Sequence, residues 1–219
     1  MENINWLFFD MGGVVLDDSR PEMLRQELAL EIAQKYMPHI TMAHVREAWM
    51  AASGTPGSMR IVALRELCKG LQNLEEVVSE YQEQCKIDYY GLSQVRPEAK
   101  NVLESLSQKY ELGLMANQGA RALELLEEEG VMKYFSHQKM SHHVGLEKPD
   151  PNFFLTILAD TGARTNESVI IDDNWFRGLY PAKQIGMKTV LFERELIPFP
   201  DDSAPEWRVS NLKELLNIF

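Results

Sequence analysis

The chain has 219 residues, 45% hydrophobic and 25% charged, and carries a formal net charge of -11. That is enough for one large domain, or a core with a small accessory unit, to bury its own interior without disulfide or metal staples. The acidic balance argues against non-specific nucleic-acid binding, which relies on Lys and Arg neutralising phosphates, but a local site can still take an anion. The N-terminal stretch MENINWLFFDMGG lacks a basic region and a long apolar segment, so no signal peptide is read there. No apolar run reaches the length of a membrane span, and a cytoplasmic protein is expected. Cys68 and Cys85 fall on apolar helical positions, with no CxxC or Cys/His ligand spacing, and are expected to be reduced thiols.

In chain order, the first apolar run is INWLFFD (4–10), ending in Asp10 and followed by Gly12 and Gly13. Residues 19–94 show no strand pattern and read as four amphipathic helices. Ser19-Arg20-Pro21-Glu22 has the spacing of a capping box and opens a helix with the stripe Leu24, Leu28, Ile32, Tyr36. Thr41 caps a second helix, carrying Val45, Trp49 and Ala52. A third carries Ile61, Leu64 and Cys68, and Asn73 caps a fourth with Val77 and Tyr81. The stretch GTPG (54–57) is a loop inside this bundle, and Pro97 restarts the second part of the core.

From there strand and helix alternate. Residues 97–110 carry Ala99, Val102, Leu103 and Leu106 on one face. LGLMAN (112–117) is a strand. Asp150 and Pro151 open a helix over 151–161, and SVIIDD (168–173) and MKTVLF (187–192) are further strands. Continuous apolar runs of this kind suit strands buried on both faces of a parallel sheet. The predicted fold is α/β, a doubly wound parallel sheet built from residues 1–18 and 95–219, with a helical-bundle cap, residues 19–94, inserted after the first strand.

The apolar runs end in Asp10, Asn117 and Asp172-Asp173. In an open parallel sheet the carboxyl ends of the strands line the ligand crevice. Three carboxylates at one edge repel one another and call for a cation. All-oxygen ligation suits Mg²⁺, and Lys148, in GLEKPDP, is a second positive charge. His142 and His143 are of a residue type suited to proton donation but read as solvated loop residues. Arg60, beside the loop SGTPGS, reads as a surface arginine.

These segments, FFDMGGVV, LGLMANQG, GLEKPDP and VIIDDN followed by PAKQIGMKTV, resemble the four motifs of the haloacid dehalogenase-like (HAD) superfamily of Rossmann-like hydrolases. The resemblance covers the whole chain, helical cap included. It implies that Asp10 is the nucleophile of a Mg²⁺-dependent phosphatase, forming an aspartyl phosphate. It places Asn117, Gln118 and Lys148 around the phosphate. It gives the metal to Asp10, the Gly12 carbonyl and Asp173, with Asp172 as a ligand or an outer partner. A small phosphorylated metabolite is the expected substrate and a monomer or homodimer the expected state. Two positions depart from the pattern. Gly12 stands where the phosphatases carry a second Asp, the acid and base of the reaction, and Ala116 where they carry Ser or Thr. These departures also allow a weakly catalytic relative that binds a phosphorylated ligand or protein partner, or a metal-independent dehalogenase.

Overall fold

The computed structural model describes residues 4–194, 199 and 204–219. Strand β1 (Trp6–Phe9) leads through Asp10 to the two-residue strand β2 (Leu16–Asp17). Four helices follow: α1 (Ser19–Tyr36), α2 (Met42–Ala52), α3 (Met59–Leu67) and α4 (Leu74–Gln84). After the short α5 (Tyr89–Leu92), β3 (Gln94–Val95) returns antiparallel to β2, with Leu16 opposite Val95. Then come α6 (Ala99–Leu106), β4 (Glu111–Leu114), α7 (Ala120–Glu128), α8 (Ser141–Val144) and α9 (Pro151–Thr161). The last elements are β5 (Ser168–Asp172), α10 (Tyr180–Gln184), β6 (Lys188–Phe192), β7 (Trp207–Val209) and α11 (Leu215–Ile218).

Strands β4-β1-β5-β6-β7 form one parallel sheet in that order. Successive side chains of a strand point to opposite faces, and the central strands bury both. Leu7, Phe9, Val169 and Ile171 pack with α6 and α7 on one face. Phe8 and Ile170 pack with Phe153, Phe154 and Ile157 of α9 on the other. This explains why β1 and β5 are continuous apolar runs. The chain runs from β1 to β4 on one side of β1 and then to β5 on the other. The reversal opens a crevice at the carboxyl end of β1, where Asp10 lies. The edge strand β7 was not anticipated: it is three residues long with Arg208 at its centre, too short and too polar to show as an apolar run.

The first four helices have an interior of their own, made of Ile32, Trp49, Leu64, Val77 and Tyr81 among others. Burying each such side chain contributes roughly 1.5–3 kcal/mol. Thr41 caps α2 as expected, reciprocally with His44. The start of α1 differs from expectation. Asp18 is its N-cap residue, and Glu22 turns away from the cap to pair with Arg25. The inward face of α1 is Gln26, Ala29, Ile32 and Ala33, while Tyr36 is exposed and Glu22 lines the polar cleft. Cys68 is buried and Cys85 half-buried, and neither is in a disulfide.

The strands β2 and β3 carry the chain out of the sheet unit and back. Arg96 pins this crossing, donating from Nε to the Val14 carbonyl at 3.0 Å and from Nη2 to the Gly13 carbonyl at 2.9 Å. On the opposite rim, Arg177 donates to the carbonyls of Ser53, Thr55 and Gly57 at 3.3, 2.7 and 3.0 Å. The loop over residues 54–57 is thereby tied to the turn that follows β5.

Candidate active site

Asp10 follows β1, and its backbone N–H donates to the Ile171 carbonyl of the neighbouring strand at 2.8 Å. That bond extends the ladder by one residue and delivers the carboxylate to the sheet edge. Asp172 ends β5 beside it and Asp173 follows. One carboxylate oxygen from each of Asp10, Asp172 and Asp173 lies within 4.8 Å of the others. Lys148 reaches this group from the loop before α9. Its Nζ lies 2.9 Å from Asp10 Oδ1 and 2.6 Å from Asp172 Oδ2, with only 3% of the side chain exposed.

Asn117 holds the lysine in place. Its Oδ1 accepts from the Lys148 backbone N–H and its Nδ2 donates to the Lys148 carbonyl, both at 2.8 Å. The side chain of this predicted phosphate-binding residue is thus committed to the backbone of Lys148. Gln118 lines the same cleft and accepts from the Tyr90 hydroxyl at 2.7 Å. Asp172 is fully buried, with Oδ1 accepting from the Asn174 N–H at 2.8 Å. Gly178 packs so closely on its carboxylate that a Cβ there would overlap it.

Three groups at the site were not singled out from sequence: Arg194, Asp18 and Tyr89. Arg194 follows β6 and spans two carboxylates, with Nη1 2.6 Å from Asp173 Oδ2 and Nη2 2.5 Å from Asp18 Oδ1. The Tyr89 hydroxyl donates to the other oxygen of Asp18, Oδ2, at 2.6 Å. No sequence motif marks these three, because Arg194, Asp18 and Tyr89 meet only through the chain crossing and the fold of the helical unit. Arg60 lines the cleft rather than the outer surface, because the loop over 54–57 turns the start of α3 inward. His142 and His143 are exposed and are not among the cleft residues. The Nδ1 of His143 accepts from the Met140 N–H at 3.2 Å.

The charges do not balance. Four carboxylates, Asp10, Asp18, Asp172 and Asp173, pair directly with two cations, Lys148 and Arg194, while Arg177 acts on Asp10 and Asp172 from further off. Burial, opposed by Lys148 and reinforced by Asp172, pushes Asp10 up to about 6. Burial, opposed by Arg194 and reinforced by Asp172 and Asp10, pushes Asp173 up to about 8. Burial alone would lower Lys148, but Asp10 and Asp172 more than reverse this and keep it charged. Oxygen-only donors lacking the charge of one divalent cation are what a hard metal such as Mg²⁺ requires. The residues therefore fit such an ion. The cleft has a volume of about 580 Å³ and is walled by Asp10, Asp18, Arg25, Arg60, Tyr89 and Lys148 among others. That is the size of a small-molecule site.

The family model described as haloacid dehalogenase-like hydrolase matches residues 7–192. A glyceraldehyde 3-phosphate phosphatase of Methanopyrus kandleri is 27% identical over 110 residues, 48% of this chain and 46% of the relative, so the match spans less than half of that protein. A phosphorylated carbohydrates phosphatase of Thermotoga maritima is 27% identical over 187 residues, 84% of this chain and 82% of the relative. The solved structure of a HAD phosphatase from Thermococcus onnurineus superposes with a TM-score of 0.63 at 22% identity, covering 98% of this chain and 97% of that one, which bears on the fold. Among the described residues no helix is long and apolar enough to cross a membrane. The chain belongs to the haloacid dehalogenase-like hydrolases.

Proposed function

We propose that the protein is a Mg²⁺-dependent phosphatase of small phosphorylated metabolites, with Asp10 as nucleophile. The observation that carries this reading is the position of Lys148 Nζ, in contact with both Asp10 and Asp172 at the cleft floor. A lysine so placed keeps Asp10 ionised for attack and offers positive charge to an incoming phosphate. Asp10, the Gly12 carbonyl and Asp173 would hold the metal, while Asp172 is engaged by Lys148. When bound, the ion supplies positive charge that orients the phosphate and offsets its repulsion from the carboxylates.

Asp10 attacks phosphorus through a carboxylate oxygen, the bond to the leaving oxygen breaks, and an aspartyl phosphate forms. Asn117 keeps Lys148 on the phosphate, and backbone N–H groups of the loop around Asn117 and Gln118 would donate to the same oxygens. Water then cleaves the acyl phosphate and restores Asp10. The helical unit of residues 19–94 acts as the cap that reads the rest of the substrate, with Arg25 and Arg60 on its wall. The name of the Thermotoga maritima relative, which the chain matches over most of its length, favours a phosphorylated carbohydrate or a similar polar metabolite.

The test is release of p-nitrophenol from p-nitrophenyl phosphate, with and without Mg²⁺, by the wild type and Asp10→Asn. Release is expected only with Mg²⁺ present and Asp10 intact, and the Asn variant should keep the wild-type melting profile because the change is nearly isosteric. Metal-independent turnover, or a fully active Asn variant, would sink the proposal.

A further inference from the structure

Hydrolysis of an aspartyl phosphate needs a group that takes a proton from the attacking water. Gly12 has no side chain for this, yet the space beside it is not vacant. A Cβ built on Gly12 would lie 2.7 Å from the Tyr89 hydroxyl, 3.1 Å from Asp18 Oδ2 and 3.3 Å from Gln118 Nε2. The first distance is one that real Cβ atoms essentially never show. Glycine at position 12 is therefore what allows Tyr89 and Asp18 to approach the nucleophile loop. Both side chains line the cleft that Asp10 and Lys148 floor. Asp18 is 5% exposed and held at both ends, Oδ1 by Arg194 and Oδ2 by Tyr89.

We infer that Asp18 is the catalytic base of the dephosphorylation step, taking the place of the carboxylate absent at Gly12, with Tyr89 as the residue that positions it. The inference rests on the phosphatase reading above. The water oxygen bonds to phosphorus and one water proton passes to Asp18 Oδ2. The bond between phosphorus and the Asp10 oxygen breaks, and its electron pair returns to the Asp10 carboxylate. Inorganic phosphate leaves and the proton on Asp18 is lost to solvent. Burial and the neighbouring Asp18 raise the Tyr89 hydroxyl well above the ordinary tyrosine range, so it stays protonated and donates to Oδ2 throughout. Such a hydrogen bond fixes which lone pair of Oδ2 is left for water. Arg194 fixes the other oxygen and carries no proton in the step.

The experiment is rapid mixing of p-nitrophenyl phosphate and Mg²⁺ with the wild type, Asp18→Asn, Tyr89→Phe and Asp10→Asn, followed by acid quench and intact-mass measurement. If Asp18 activates water, Asp18→Asn releases one equivalent of p-nitrophenol in a burst. Its steady state then falls about 10²-fold or more, the usual worth of a general base, with phosphoenzyme accumulating on Asp10. The burst itself shows that the variant is folded and phosphorylated. Tyr89→Phe, which keeps the Asp18–Arg194 pair, gives the same burst with a fall of roughly tenfold, the loss of one orienting hydrogen bond to a charged group. If wild type and Asp10→Asn behave as the phosphatase reading requires, but neither of the other variants accumulates phosphoenzyme, the assignment of Asp18 alone is overturned. A wild type without turnover, or an active Asp10→Asn protein, overturns both.

Discussion

Lys148 is the residue on which the site turns, because it is the only cation in contact with Asp10 and Asp172 among the described residues. Removing one partner of a buried, hydrogen-bonded ion pair leaves the others uncompensated and typically costs about 3–5 kcal/mol. Lys148→Met keeps the length of the side chain and removes its charge. Thermal unfolding at pH 7.5 should show a loss of that order, together with a rise in the KM for p-nitrophenyl phosphate and a fall in kcat. The stability loss should shrink at pH 5, where Asp10, already raised to about 6 by burial, can take up a proton in place of the ammonium. A variant as stable and as active as the wild type would remove Lys148 from the site. Asp10, Asn117, Lys148 and Asp172-Asp173 were legible because each sits where an apolar run stops or a helix begins, and that local pattern is in the sequence. The side-chain role of Asn117, holding the backbone of Lys148, was not legible, since it depends on a loop 31 residues away.

At the scale of elements, the strands and most helices were readable because burial on both sheet faces writes itself as apolar runs, and amphipathic helices as stripes. What was not readable is how the helical unit meets the sheet unit. Arg177, three residues after the fourth motif and not singled out from sequence, donates to three carbonyls of the loop that the cleft shares. Arg194 lies two residues beyond a strand that was readable, in a position with no signature of its own, yet joins the N-cap of α1 to Asp173. Both contacts are long-range and involve backbone or single carboxylates, so spacing does not betray them. Arg177 carries a prediction of its own. Arg177→Ala should free the 53–57 loop, with faster amide hydrogen exchange there than elsewhere in the chain. Because that loop adjoins Ser58, Met59 and Arg60 on the cleft wall, the KM should rise several-fold while kcat on p-nitrophenyl phosphate changes little. Unaltered exchange in residues 53–57 would mean that the loop is held by its own turns and not by Arg177.

For the whole molecule, the site's surplus negative charge makes stability depend on pH and metal together. In the metal-free protein Asp10 rises from 3.8 to about 6 and Asp173 from 3.8 to about 8 on folding, chiefly through burial. The folded state therefore binds more protons than the unfolded chain between about pH 4 and pH 8, so this contribution to stability falls as pH rises through that window. Elsewhere Asp17 and Glu206 are lowered and contribute in the opposite sense, so the pH profile of one sample mixes the two. The difference between samples with and without Mg²⁺ isolates the proposed metal site, because a divalent cation held there would replace the protons at Asp10 and Asp173. At one hundred times its Kd the ion stabilises by about 2.7 kcal/mol, a rise in Tm of roughly 5–10 °C for a chain of this size. The rise should be present at pH 8, small at pH 5, and absent in Asp173→Asn at either pH. Arg194 sets the limit of the effect, since its guanidinium already compensates one oxygen of Asp173 and the ion must share that carboxylate with it. A Mg²⁺-induced shift equal at pH 5 and pH 8, or one that survives Asp173→Asn, would place the metal elsewhere on this acidic protein.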